Sequence, residues 1–256
     1  EASSWKFPAG CKFWGAKDYE ELPEPRASLN SADKVECVCP VTVELSETGP
    51  FAVITEGNLV DYCGMDLLAG PDCTFRAFFR SSPKGWRQPG TITTPWRLLI
   101  VSADLNGLVN TDMPKNVCPP PPPELQNADW IVPGRAVWQW WSIENPKLPD
   151  QHWWIDRAKE LGFEYYLIDD GWKDWKADGK DAWQCLKDVI DYAKTQNVKI
   201  LIWVDHQYIS DAERRHEYLA KVRDVGAAGI KIDFFRSEDR NIINWYEDAL
   251  RETAKL

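Results

Sequence analysis

The 256-residue chain predicts two domains of different class: an antiparallel β domain of sandwich type over residues 1–127, then a parallel α/β domain over residues 128–256. Three observations carry that expectation. Short apolar segments alternate with a period of two up to about Asn127, a proline run occupies Pro119 to Pro123, and beyond Arg135 strands and amphipathic segments recur about every thirty residues.

In the first part the alternating segments are Val41 to Leu45, Phe51 to Thr55, Thr74 to Arg80 and Trp96 to Val101, separated by turn residues. Such a pattern buries one face of each strand and exposes the other, as two stacked antiparallel sheets require. The prolines then impose a stiff, extended connection, which places the boundary near Leu125 to Asp129.

In the second part Arg135 to Trp141, Tyr165 to Asp169, Val198 to Val204 and Gly229 to Phe234 read as buried strands. The intervening segments His152 to Leu161, Asp181 to Gln196 and Ser210 to Val225 carry helical periodicity. Ser210-Asp211-Ala212-Glu213 reads as a capping box for the third, and a last helix is expected from about Ser237. Four βα units fit into this length, whereas a closed eight-unit barrel needs roughly 250 residues. A doubly wound open sheet is the alternative, although Ser142-Ile143-Glu144-Asn145-Pro146 stands where its glycine-rich phosphate turn would be.

Composition narrows the function. A net charge of −10 without clustered Lys and Arg argues against a nucleic-acid surface, since such surfaces displace counterions with dense positive charge. No run of eighteen apolar residues suggests a membrane span, and Glu1 to Trp5 lacks the basic and apolar segments of a signal peptide. Seven cysteines leave at least one unpaired in a monomer, and the single-residue spacing of Cys37 and Cys39 does not suit zinc. Disulfides among the six N-terminal cysteines are expected if the chain is exported.

The C-terminal ends of the four predicted strands hold the chemistry. They carry Trp138, Trp140 and Trp141; Asp169, Asp170 and Trp172; Trp203, Asp205 and His206; and Lys231 and Asp233. In a barrel these ends converge on one face. Carboxylates accept hydrogen bonds from sugar hydroxyls while indole faces cover the apolar side of a pyranose. Simpler readings stand beside this one: Asp-Asp-Gly is an ordinary turn, Lys231 and Asp233 can form a structural ion pair, and at least one of the three tryptophans belongs to a core.

Three runs, Pro133 to Ser142, Leu161 to Trp172 and Gly229 to Phe234, resemble glycoside hydrolase family 97. Thr55 to Met65 and Thr94-Pro95-Trp96-Arg97 look like that family's N-terminal sandwich. The resemblance implies a β-sandwich followed by a (β/α)8 TIM-barrel catalytic domain, of which about the first four βα units are present here. It implies hydrolysis of α-glycosides, with retaining α-galactosidases and inverting α-glucosidases both in the family. It implies calcium at the active site, with Glu56 as the sandwich-domain ligand, and export to the periplasm or beyond.

Asp233 matches the aspartate nucleophile of the retaining branch. Lys231 is then expected to hold it ionised, Asp169 and Asp170 to grip sugar hydroxyls, and Trp140, Trp172 and Trp203 to shape the pocket. The family's acid/base glutamate and its other calcium-binding glutamates fall after the fourth helix. This chain is therefore expected to hold a nucleophile without its acid, and the rest of the barrel is expected from further sequence or a partner chain. A carbohydrate-binding protein without catalysis and an interaction fragment are the other expectations.

Overall fold

The computed structural model describes residues 3–17, 25–27, 34–87, 89–126 and 128–255. Two compact units emerge, one formed by Glu1–Pro121 with Arg236–Glu247, the other by Pro122–Phe235 with Asp248–Leu256.

The first unit is β-rich. Its strands are β1 (Ser4–Lys6), β2 (Lys12–Trp14), β3 (Pro25–Ala27), β4 (Val35–Val38), β5 (Val41–Glu44), β6 (Phe51–Gly57), β7 (Asp66–Gly70), β8 (Thr74–Phe78) and β9 (Trp96–Ser102). They form two antiparallel sheets, ordered β1-β8-β7-β4 and β3-β2-β5-β6-β9. Alternation decides which side chains meet. Val41 and Val43 of β5 and Ala52 and Ile54 of β6 are buried, and they share one core with Phe13, Cys37, Leu67, Ala69 and Phe75. Each large apolar side chain removed from water there contributes about 1.5–3 kcal/mol. Phe75 sets its ring edge-on to Phe7 and Phe13, with centroids 5.8 and 5.2 Å away.

A disulfide joins Cys11 to Cys73 across 62 residues of chain, with the Cα atoms 6.2 Å apart. Two short helices, α1 (Leu105–Val109) and α2 (Met113–Asn116), follow β9, and Leu108 of α1 seats on Leu98 and Ile100. The segment Arg236–Glu247 is tied into this unit by backbone and side-chain bonds. Gly64 N–H donates to the Glu238 carbonyl at 2.8 Å, Glu238 N–H to Ser81 Oγ at 2.8 Å, and Asn244 to Asp61 at 2.7 Å. A Cβ on Gly64 would lie 2.8 Å from the Glu238 carboxylate, so the approach requires glycine.

The second unit is α/β. Its elements are β10 (Ala136–Trp138), α3 (Gln151–Glu160), β11 (Tyr165–Ile168), α4 (Ala182–Thr195), β12 (Lys199–Asp205), α5 (Ala212–Val225), β13 (Gly229–Asp233) and α6 (Arg240–Thr253), the last beginning in the segment that counts with the first unit. The four strands are parallel and ordered β10-β11-β12-β13. One sheet face packs on the helices: Val137, Tyr166, Ile168, Ile200, Ile202 and Ile230 meet Ile155, Leu186, Val189, Ile190, Val222 and Val225. The opposite face, by alternation, carries Trp138, Leu167, Leu201, Trp203, Lys231 and Asp233.

Two local expectations change. The first strand stops at Trp138 rather than Trp141, because Gln139 O accepts Ser142 N–H and Ile143 N–H and turns the chain. The cap of α5 is Asp211, not Ser210: Ser210 is in an αR conformation at the end of a 3-10 turn, whereas Asp211 is extended and accepts Arg214 N–H at 3.0 Å. A capping box does form on α4, where Asp181 and Gln184 satisfy each other's backbone N–H groups.

Candidate active site

Strand ends of the α/β unit bring two carboxylates onto one lysine. Asp169, directly after β11, is buried, with its side chain 4% exposed. Its Oδ2 accepts Trp138 Nε1–H at 2.6 Å and Lys231 Nζ at 3.0 Å, and its Oδ1 accepts Asp170 N–H at 2.8 Å. Asp233, the last residue of β13, is 33% exposed. Its Oδ2 lies 3.2 Å from Lys231 Nζ and accepts Trp203 Nε1–H at 2.9 Å, while Phe234 N–H reaches Oδ1 at 2.8 Å. The Lys231 ammonium also lies 4.7 Å from the centre of the Trp138 ring.

The electrostatics follow from this geometry. Burial pushes the Asp233 pKa up, but the Trp203 indole, the Phe234 amide and the Lys231 ammonium together outweigh it and hold the carboxylate below its ordinary range. The cluster pairs two carboxylates with one ammonium, so it favours positive charge developing nearby. Asp233 is the more accessible of the two acids and Asp169 the enclosed one. That division gives one carboxylate free to react and one that fixes the lysine.

The backbone after Asp233 is held out of its usual range. Phe234 and Arg236 have φ of 60° and 40°, the left-handed region in which a non-glycine residue costs about 1 kcal/mol or more. This turn aims Phe234 N–H back at the carboxylate and sets its ring edge-on to Trp203 at 5.7 Å.

Other candidates lie elsewhere. Asp170 spends Oδ1 on Gly171 N–H at 2.8 Å and makes none of the hydrogen bonds around Lys231. Trp172 is fully buried in the sheet–helix core and donates to the Trp203 carbonyl at 3.0 Å, which corrects the expectation that its face would line a pocket. Trp203 is only 3% exposed, so its part is to orient Asp233 rather than to present a ring face. Trp140 is half-buried in the turn after β10 and takes no part in the cluster's hydrogen bonds; Trp138 does instead. Parity along the strand allows either indole, and only the early end of β10 distinguishes them. Asp205 accepts Gln207 N–H at 2.9 Å as the cap of a short 3-10 turn.

Known proteins share both units. Residues 142–256 match the family described as Glycoside hydrolase 97, and residues 1–120 match Glycosyl-hydrolase 97 N-terminal. The chain belongs to glycoside hydrolase family 97. It is 31% identical over 175 residues to a probable retaining alpha-galactosidase of Streptomyces bingchenggensis, and 28% identical over 174 residues to a retaining alpha-galactosidase of Bacteroides thetaiotaomicron. These matches cover 64% and 63% of this chain but only 27% and 26% of the two relatives. Among solved structures, a beta-arabinopyranosidase aligns with 99% of this chain and 45% of its own length at a TM-score of 0.79 and 22% identity. A family 97 enzyme from Pseudoalteromonas sp. strain K8 aligns with 96% of this chain and 44% of its own at a TM-score of 0.75 and 19% identity. At these identities the likeness is one of fold.

Calcium, which the family implies, can be tested against the donors present. Glu56 of β6 accepts Met65 N–H at 2.9 Å on Oε1 and pairs through Oε2 with Arg97, whose guanidinium lies 5.7 Å from the Tyr62 and Phe79 ring centres. Among the described residues no three His, Cys, Asp or Glu side chains gather in a metal-holding group. Calcium takes six or more oxygens, so the described donors do not fit it.

Proposed function

We propose that this family 97 chain carries the nucleophile of a retaining α-galactosidase, with Asp233 as that nucleophile. The observation that supports it most is the environment of Asp233: a strand-end carboxylate, partly open, kept ionised by an indole N–H, an amide N–H and an ammonium. In the first step an Asp233 oxygen forms a bond to the anomeric carbon as the bond to the leaving oxygen breaks, and the leaving oxygen takes a proton from an acid. In the second step water gives a proton to the conjugate base of that acid as its oxygen bonds to the anomeric carbon and the bond to Asp233 breaks, so two inversions give retention. Positive charge on the sugar ring in each transition state is met by the excess negative charge of the Asp169–Lys231–Asp233 cluster.

On this reading Lys231 also contacts a sugar hydroxyl while the buried Asp169 holds it in place, and the α/β unit is the first four βα units of a (β/α)8 barrel that follows a β-sandwich domain in the sequence. The acid is expected from the family's glutamate, at a position in the sequence after the fourth helix. The Cys11–Cys73 disulfide suits an oxidising compartment, which supports export. The similarity to a beta-arabinopyranosidase is compatible with the same site, since a β-L-arabinopyranoside shares the ring configuration of an α-galactoside from C1 to C4 and lacks only C6.

The test is stereochemical. An aryl α-galactoside is given to this chain joined to its downstream family 97 sequence, and the first-formed sugar is followed by proton NMR. Galactose appearing first as the α-anomer supports the reading; β-galactose appearing first overturns it.

A further inference from the structure

Lys173 stands in an unusual place. The chain leaves β11 through Gly171, whose φ of 105° only glycine adopts freely, and a 3-10 turn over Trp172–Asp174 brings Lys173 back against the end of β12. Its ammonium lies 3.6 Å from the centre of the Tyr208 ring and 5.1 Å from that of Trp203. The Nζ atom is buried and no hydrogen-bond acceptor reaches it among the described residues. Burial lowers its pKa, against the opposing pull of the Asp170, Asp205 and Asp174 carboxylates.

A lysine ammonium is compact and strongly hydrated, so stripping it of water without a hydrogen bond is costly. Its contact with Trp203 gives that cost a consequence at the site. Trp203 is the residue whose indole N–H reaches Asp233 at 2.9 Å. Trp172 fixes the Trp203 backbone by donating to its carbonyl at 3.0 Å, and the Phe234 ring meets the indole edge-on at 5.7 Å. The Lys173 ammonium stands over the same indole, between it and the Tyr208 ring.

We propose that Lys173 is a positioning residue for Asp233 that acts through Trp203: its cation fixes the indole and, by drawing ring electron density toward itself, makes Nε1–H a stronger donor to the carboxylate. A cation within about 6 Å of an indole centre is attracted by the ring quadrupole. Asp233 is faced by Lys231 on its own strand and by Trp203 from β12, with Asp169 reached through Lys231; Lys173 is faced by Asp170, Asp174 and Asp205. The functional meaning of this role rests on Asp233 being the nucleophile, whereas the contact itself does not.

The experiment reads the Trp203 indole N–H in the nitrogen-15-labelled 256-residue chain, the signal being assigned by its loss in Trp203→Phe. Lys173→Met is expected to move the resonance upfield and to speed its exchange with solvent about fivefold, equivalent to about 1 kcal/mol. Lys173→Arg, which keeps the cation, is expected to stay near wild type. In an Asp233→Asn background the effect of Lys173→Met is expected to shrink, because the acceptor is weakened. Unchanged indole signals from a folded Lys173→Met protein, or equal changes from Lys173→Met and Lys173→Arg, overturn the proposal. Signals from Trp138 and Trp172 report folding, and Lys173→Gln gives the same comparison if the Met variant does not fold. Failure of the nucleophile reading would appear instead as the absence of a covalent sugar adduct, and would leave this comparison intact.

Discussion

At the scale of single residues, the site depends on Lys231 holding two acids at once. Asp169 is enclosed, and Lys231→Met leaves its carboxylate with Trp138 as the remaining side-chain donor. Losing a charge-assisted hydrogen bond of this kind costs about 2 kcal/mol, so a lowered midpoint in urea with an unchanged slope is expected. Trp203→Phe keeps the ring and removes the N–H, which lets the Asp233 pKa rise toward the ordinary aspartate value. Because that pKa is depressed in the folded chain, its stabilisation is present above the unfolded value and is lost as pH falls through the folded one. The acid limb of stability is therefore expected to move to higher pH in Trp203→Phe, as measured by melting temperature against pH; an unmoved limb would remove Trp203 from the account. The sequence alone makes Lys231 and Asp233 legible, since two residues apart on a strand they must share a face. It does not reveal Trp138 over Trp140, or Lys173 at all, because the first depends on where β10 ends and the second on a glycine turn that folds the loop back.

At the scale of elements, alternation and helical period located most of the α/β unit to within a few residues. His152 to Leu161 became Gln151–Glu160, and Asp181 to Gln196 became Ala182–Thr195 with its caps. Caps were less legible. Ser210 and Asp211 are adjacent and both suited to the role, and backbone conformation rather than composition gives it to Asp211. Asp211→Ala is expected to cost about 1 kcal/mol by thermal unfolding, and Ser210→Ala less, since only the former frees the Arg214 N–H. Strands β1 to β4 and β7 are less legible, because within three to five residues their apolar and polar side chains do not alternate as regularly as those of β5 and β8. Strands β1, β2, β4 and β7 place Trp5, Phe13, Val35, Cys37, Leu67 and Ala69 in or against the shared core around Phe13 and Phe75, and that packing rather than local preference stabilises them.

At the scale of the whole chain, the sequence places a boundary near Leu125 to Asp129, and the compact units divide within the preceding proline run, between Pro121 and Pro122. It did not anticipate that Arg236–Glu247 counts with the β-rich unit, because the bonds involved, from Gly64, Ser81 and Asp61, link residues more than 150 positions apart. The Cys11–Cys73 disulfide closes a long loop in that same unit, and chain-entropy arguments give such a link about 4 kcal/mol. Reduction is expected to lower hydrogen-exchange protection in strands β1 to β9 while strands β10 to β13 keep theirs; equal loss in both would contradict the assignment of the disulfide to one unit.

Attack of Asp233 on the sugar would leave a covalent glycosyl-enzyme, and trapping that species decides whether Asp233 is the nucleophile. 5-Fluoro-α-galactosyl fluoride carries a leaving group that needs little acid assistance, so a slowly hydrolysed glycosyl-enzyme accumulates where a nucleophile exists. Mass spectrometry of the labelled chain, extended by its downstream sequence, is expected to place one fluorogalactosyl group on the peptide containing Asp233 and none on Asp233→Asn. A label on another carboxylate, or undiminished labelling of Asp233→Asn, would contradict the account.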